Sequence, residues 1–234
     1  MNRINTIFTL YSLVVVIIIV ERLLPYTRVT LAPYNFIAVH QLIQTLFFIP
    51  FTLILSLLTM KIITNDFQTL KEKSNAFFAL LFVIGAYLYG AGEGWHEVSL
   101  FTLNTYCHLD YFMNNLCGGL FINSYYSGNL IFFIGGLIMG VSLLSLAKKH
   151  PTPPFTKKEL IILIINSSMF AFTWFAYAAF DKVSIGFVFS ALLMLISLSF
   201  FLVIRKKWKS YPFILYSVLA YSLATIAICI VRFF

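Results

Sequence analysis

The chain has 234 residues, 61% of them hydrophobic and only 10% charged. A soluble domain carries roughly 25% charged residues, so a water-soluble fold cannot cover this much apolar surface. The composition specifies a polytopic membrane protein, and the net charge of +8 has to be read from where the charges sit.

A bilayer core of about 30 Å takes about 20 apolar residues per helix. Seven stretches serve: roughly Asn5 to Val20, Tyr34 to Leu58, Ala76 to Leu103, Tyr126 to Leu146, Glu159 to Phe180, Ser184 to Ile204 and Tyr211 to Ile230. The first follows Arg3 as a signal peptide would, but it leads into Glu21-Arg22-Leu23-Leu24-Pro25, with no small-x-small cleavage site. It is therefore expected to be kept as the first span. No loop is long enough for a second core, so residues 1–234 form one seven-helix transmembrane domain, an all-α polytopic bundle.

Lysine and arginine set the orientation. The link after the second span has Lys61, Lys71 and Lys73; that after the fourth has Lys148, Lys149, Lys157 and Lys158; that after the sixth has Arg205, Lys206, Lys207 and Lys209. With Arg3 these are 12 of the 16 basic residues, leaving Arg22, Arg28, Lys182 and Arg232 on the other side. The amino terminus is expected to be cytoplasmic and the carboxyl terminus outside, in a bacterial-type inner or plasma membrane. The asymmetry explains the net charge without nucleic acid. The basic loops would attract anionic headgroups, so membrane lipids are the expected partners.

KKHPTPPFTKKE is the clearest linker, since its prolines cannot continue a helix. Spans one to three do not repeat in spans five to seven, which weighs against a repeat-built transporter.

The third span holds Gly90-Ala-Gly-Glu-Gly-Trp-His-Glu97 in its outer half. At 100° per residue, Tyr89, Glu93, His96, Glu97 and Asn104 share one stripe, beside glycines that let another helix or a ligand approach. In the second span His40 reaches the same depth and projects with Gln44. Asn123, Ser124, Tyr125, Tyr126 and Asn129 enter from the fourth span, and Trp174, Tyr177 and Asp181 from the fifth. These groups outline a polar cavity toward the outer face.

Two ionised glutamates four residues apart repel by about 3 kcal/mol at an effective dielectric near 20. Either one carries a proton or a cation sits between them: a metal ion, an imidazolium or a basic substrate. Glu93-x-x-His96 is half of a di-iron pattern, but no second Glu-x-x-His follows. One divalent transition metal such as zinc fits better. Its ligands would be Glu93, His96 and His40, with Glu97 as catalytic general base. His108 and Asp110 are alternative ligands. The expected function is then a metal-dependent enzyme acting on a lipid or lipid-linked substrate. The alternatives are a proton-coupled small-solute transporter, with Glu93 and Glu97 cycling protons, and a non-catalytic scaffold or accessory subunit. In the last case the cluster is interfacial and Trp95 an ordinary belt residue.

Elsewhere, Glu21 and Arg22 read as a charged helix end and His150 as a solvated linker residue. Asn166-Ser167-Ser168 read as interhelical hydrogen-bonding groups, and Tyr216 and Tyr221 as bonding or cavity-lining. Cys107 and Cys117 would pin the outer loop if it faces an oxidising space, whereas Cys229 reads as packing. No lysine in the last span could hold retinal, which argues against a rhodopsin. Seven spans with a histidine and acids near one face resemble the seven-helix metal hydrolases that include alkaline ceramidases. That family's pattern has a His-x-x-x-His pair in the last span, where this chain has no histidine, so no functional residue is carried over.

Overall fold

The computed structural model describes residues 2–33, 35, 37–107, 116–180 and 183–234. Among these, seven helices are long and apolar enough to cross a membrane. We label them α1 (Arg3–Leu23), α2 (Val39–Ile63), α3 (Lys73–Tyr106), α4 (Leu116–Lys149), α5 (Lys157–Ala178), α6 (Ile185–Ser210) and α7 (Pro212–Phe233). Their ends follow local chemistry. Thr156 and Glu159 form a capping box that starts α5, and Pro212 occupies the first turn of α7.

The helices close into a ring in the order α1, α2, α3, α4, α6, α7, α5, with α4 also reaching α2 and α7. Without a hydrophobic force between helices in lipid, close packing and polar bonds have to hold such a ring. Both are present. Tyr11 on α1 bonds Ser56 on α2 at 2.8 Å. Ser12 on α1 donates to Asn166 on α5 at 2.8 Å, and Asn166 donates back to Thr9 at 3.1 Å. Ser190 on α6 meets Thr225 on α7 at 2.8 Å. Of the polar run expected to bond between helices, Asn166 does so, whereas Ser167 and Ser168 donate to the Ile164 carbonyl of their own helix.

The basic loops gather at one end of the ring. There Arg3 donates to both carboxylate oxygens of Asp66, at 3.2 and 3.3 Å, and Lys61 lies 3.8 Å from the same group. Those hydrogen bonds from Arg3, aided by the two positive charges, hold the Asp66 carboxyl below its ordinary value of 3.8. His150, expected to be solvated, instead accepts from the fully buried Asn75 at 3.1 Å, and Lys149 donates to the same amide. A histidine beside a helix end finds a partner there because Asn75 opens α3 directly opposite.

α6 tightens to a 3-10 helix over Arg205–Ser210, and two other helices widen. A π-helical turn interrupts α2 at Gln44–Phe48 and α4 at Ile122–Gly128. In α2 the cause is readable. Pro50 has no N–H for the carbonyl one turn back, and its ring crowds that carbonyl, so the chain widens just before it. Such turns are frequent at functional sites.

α3 and α4 are both 34 residues long, about 51 Å if straight, so they tilt or project from the bilayer. α4 starts at Leu116, ten positions before the expected Tyr126. Its polar run from Asn123 does not end the helix, because Ser124 and Asn129 find partners on α3 and α5.

Candidate functional site

α3 and α4 pack through glycine. A β-carbon at Gly92 would lie 2.2 Å from the backbone nitrogen of Phe132, and one at Gly135 would lie 2.2 Å from that of Tyr89. The two backbones are therefore in direct contact, and only glycine fits there. This accounts for part of the Gly-rich run. Gly94, by contrast, has nothing within 4 Å.

The close crossing sets His96 against the π turn of α4. His96 is 6% exposed. Its Nδ1 donates to the Ser124 carbonyl at 3.0 Å and lies 3.2 Å from the Ser124 hydroxyl. That hydroxyl donates to the His96 carbonyl at 3.4 Å. The carbonyl partner requires a proton on Nδ1. Tyr177 of α5 sits beside it, ring centres 6.3 Å apart, and donates to the buried Asn129 at 2.7 Å.

Glu97 is 3% exposed. One carboxyl oxygen of Glu97 and one of Glu93 are buried with no hydrogen-bond partner among the described residues. On α2, Gln41 Oε1 and Thr45 Oγ1 are buried and unpartnered in the same way. Gln41 and Thr45 are one turn apart at the π segment, which packs against α3. Two polar groups, one just before the wide turn and one within it, thus lack an internal partner among the described residues. Burying such groups costs roughly 1–3 kcal/mol each, so a bound proton, water or ligand is needed to settle them. The charges that act on Glu93 are those of Glu97 and of Arg22 at the end of α1.

His40 takes a different partner from the one expected. Its Nδ1 lies 2.9 and 3.0 Å from the two oxygens of Glu21, itself 6% exposed. Glu21 is therefore a buried pairing residue, not a charged helix end. Among the described residues no three His, Cys, Asp or Glu side chains gather as a metal ion requires. Glu93, His96 and His40 therefore form no such cluster, and the Glu21 contact occupies only the Nδ1 side of His40. His108 and Asp110, the alternative ligands, lie outside the described residues, as does Asp181. Asn104, expected on the same stripe, is exposed, and Trp95 is exposed as a belt residue would be.

Cys107 and Cys117 are joined in a disulfide, tying the end of α3 to the start of α4 above this site. Below it, one turn from Glu93, Tyr89 lines a cavity of about 220 Å3 inside the ring. Every helix except α6 contributes to its wall. Tyr89 and Tyr177 belong both to the cavity wall and to the surroundings of the acidic site.

Sequence reasoning placed Glu93, His96 and Glu97 on one face but did not reach Gln41, Thr45, Glu21 or the Ser124 carbonyl. The spacing of Gln41 and Thr45, four apart and beside Pro50, was the available signal. Compared with protein-family models, curated proteins and solved structures, the chain matches none of them. Function therefore has to be argued from the chemistry of the site.

Proposed function

We propose that this protein is a proton-coupled membrane transporter of a small solute. In this reading Glu93 and Glu97 form the proton-exchange site and the cavity beneath them holds the solute. The observation that carries it is the pair of buried, unpartnered carboxyl oxygens one turn above a cavity between the helices. Two such acids cannot both stay ionised at low cost when they are about 6 Å apart. They share a proton, or they exchange it for a positive group. Either state settles orphaned acceptors, so the two states lie close enough in energy to interconvert.

The neighbours fit this role. His96, one turn from Glu93 and held through Nδ1, has its Nε2 side to pass a proton between the pair and the outer end. The π turns supply backbone that can tighten or widen by one residue as the site changes state. With the basic loops facing the cytoplasm, the acidic site lies toward the outer face. A lipid-acting metal enzyme would need a third ligand beside Glu93 and His96, and no three such side chains gather among the described residues.

The test is proton movement in vesicles containing the purified protein and a trapped pH dye, under an imposed pH gradient. The wild type is expected to dissipate the gradient faster than empty vesicles. Glu93→Gln and Glu97→Gln should each slow this by about a hundredfold or more, the loss typical of removing a proton-transferring group. Equal rates in wild type and both variants would refute the proposal.

A further inference from the structure

The basic end of the ring holds a second cavity, of about 490 Å3, where the end of α4 meets the end of α6. Four cations line it: Lys148 of α4, and Arg205, Lys206 and Lys207 of α6. Successive residues of a regular helix point about 100° apart. Here three in a row share one cavity, and the backbone leaves helical geometry among them, at Lys207 (φ -127, ψ 25). All four residues are exposed. Among the described residues no carboxylate lines the cavity, and none of the four cations has an ion-pair partner. Arg3 and Lys61, by contrast, share Asp66. Lys148 is steadied by the ring of Phe200, whose centre lies 5.8 Å from the ammonium nitrogen.

Four like charges around one cavity repel each other, and a negative group between them relieves this. A single cation would complement the carbonyl end of α6, so helix capping does not account for four. Part of the wall is apolar, and it separates the candidate anions. Leu202 and Val203, 62% and 66% exposed, line the same cavity. Leu202 continues an exposed apolar stripe along α6 through Val188, Leu192 and Leu195, whose spacing puts all four on one face. That stripe meets the hydrocarbon of the bilayer, and the cavity lies at its end, at headgroup depth. A soluble anion would use the cations and leave the apolar wall in water. A zwitterionic lipid would bring its own ammonium group among four positive charges. A lipid with a net negative head uses both features, its phosphate among the cations and its acyl chain along the stripe.

We infer that this cavity binds the headgroup of one anionic phospholipid, held by Lys148, Arg205, Lys206 and Lys207. This differs from the general attraction of basic loops to an anionic membrane, because it assigns one lipid to four named side chains. It is independent of the transporter reading. Lys148 lies about 24 Å along α4 from Phe132, which packs against Gly92 beside the acidic pair.

The test adds phosphatidylglycerol or phosphatidylcholine with the same acyl chains to the full-length protein in mild detergent and counts bound lipid by native mass spectrometry. The expected result is one retained phosphatidylglycerol per chain, in about tenfold or greater preference over phosphatidylcholine. Each basic side chain at the headgroup contributes about fivefold. Lys206→Gln should therefore weaken phosphatidylglycerol about fivefold, and the triple Arg205→Gln, Lys206→Gln, Lys207→Gln variant about a hundredfold. A control triple, Lys71→Gln, Lys157→Gln, Lys158→Gln, removes the same charge from the same end at positions that do not line the cavity. It should weaken the lipid by less than about fivefold. Equal losses in the two triples would reduce the effect to general surface charge and overturn the inference, as would equal binding of the two lipids. Inorganic phosphate that displaces the lipid, where chloride of equal ionic strength does not, would assign the cations to a soluble anion and overturn the lipid source.

Discussion

Gly92 is the position where the packing account is most exposed to test. A β-carbon there would sit 2.2 Å from the nitrogen of Phe132, 2.7 Å from its Cα and 2.8 Å from the Gly128 carbonyl. All three are backbone atoms, so no flexible side chain can yield. To restore an ordinary 3.4 Å contact, α3 and α4 must part locally by about 1.2 Å. A gap of that size forfeits about half of each dispersion contact along the seam, and overpacking of this kind costs about 1–3 kcal/mol. We expect about 3 kcal/mol for Gly92→Ala, or a fall of about 6–10 °C in the apparent midpoint for a chain of this length. The same displacement would carry His96 Nδ1 from 3.0 Å to beyond hydrogen-bonding distance of the Ser124 carbonyl, so proton flux should fall as well. Gly94→Ala is the control. With nothing within 4 Å, it should be neutral, or more stable by up to about 1 kcal/mol through helix propensity. The assay is tryptophan fluorescence against temperature at one scan rate in one detergent. Equal midpoints for Gly92→Ala and wild type, or equal losses at Gly92 and Gly94, would refute the reasoning.

Glu21→Gln should destabilise the protein by about 2 kcal/mol, since it leaves His40 without its charged partner in a largely buried setting; Arg22→Gln, at an exposed position, should change the midpoint far less in the same melt. Elemental analysis of protein purified without chelator should find no stoichiometric transition metal, with the same content in His96→Ala, because no three His, Cys, Asp or Glu side chains gather among the described residues; one metal per chain lost in that variant would restore the ligand set read from the sequence. At the basic end the sign of the pH effect is fixed by Asp66. Its folded value is lowered by Arg3, so its contribution is present above about pH 3.8 and is lost as pH falls through the folded value. The stability difference between wild type and Arg3→Ala should therefore vanish in acid and shrink in high salt, and a difference that grew below pH 3.8 would contradict the assignment.

The seven spans were legible because length and hydropathy alone decide them, and the acidic stripe on α3 because α-helical periodicity places residues on faces. What was not legible has common causes. The π turns insert a residue into a helix, and only Pro50 hints at one of them. Partner choice depends on which helices are neighbours in the ring, so Glu21 with His40, and Asn75 with His150, could not be read from span order. The polar start of α4 resembled a helix end until the His96–Ser124 and Tyr177–Asn129 bonds supplied partners for it. The glycine run had two explanations in the sequence, helix approach or ligand approach. The structure assigns Gly92 to the first and gives Gly94 no neighbour.

The central claim is that the Glu93–Glu97 pair holds an exchangeable proton in an apolar setting. A hydrophobic carbodiimide tests this directly, because it reacts with a carboxylic acid that carries its proton away from water and leaves exposed carboxylates largely unmodified. Peptide mass spectrometry after labelling should find one adduct per chain, on Glu93 or Glu97. It should be lost in the double glutamine variant. Labelling confined to other carboxyls, or none at all, would contradict the account.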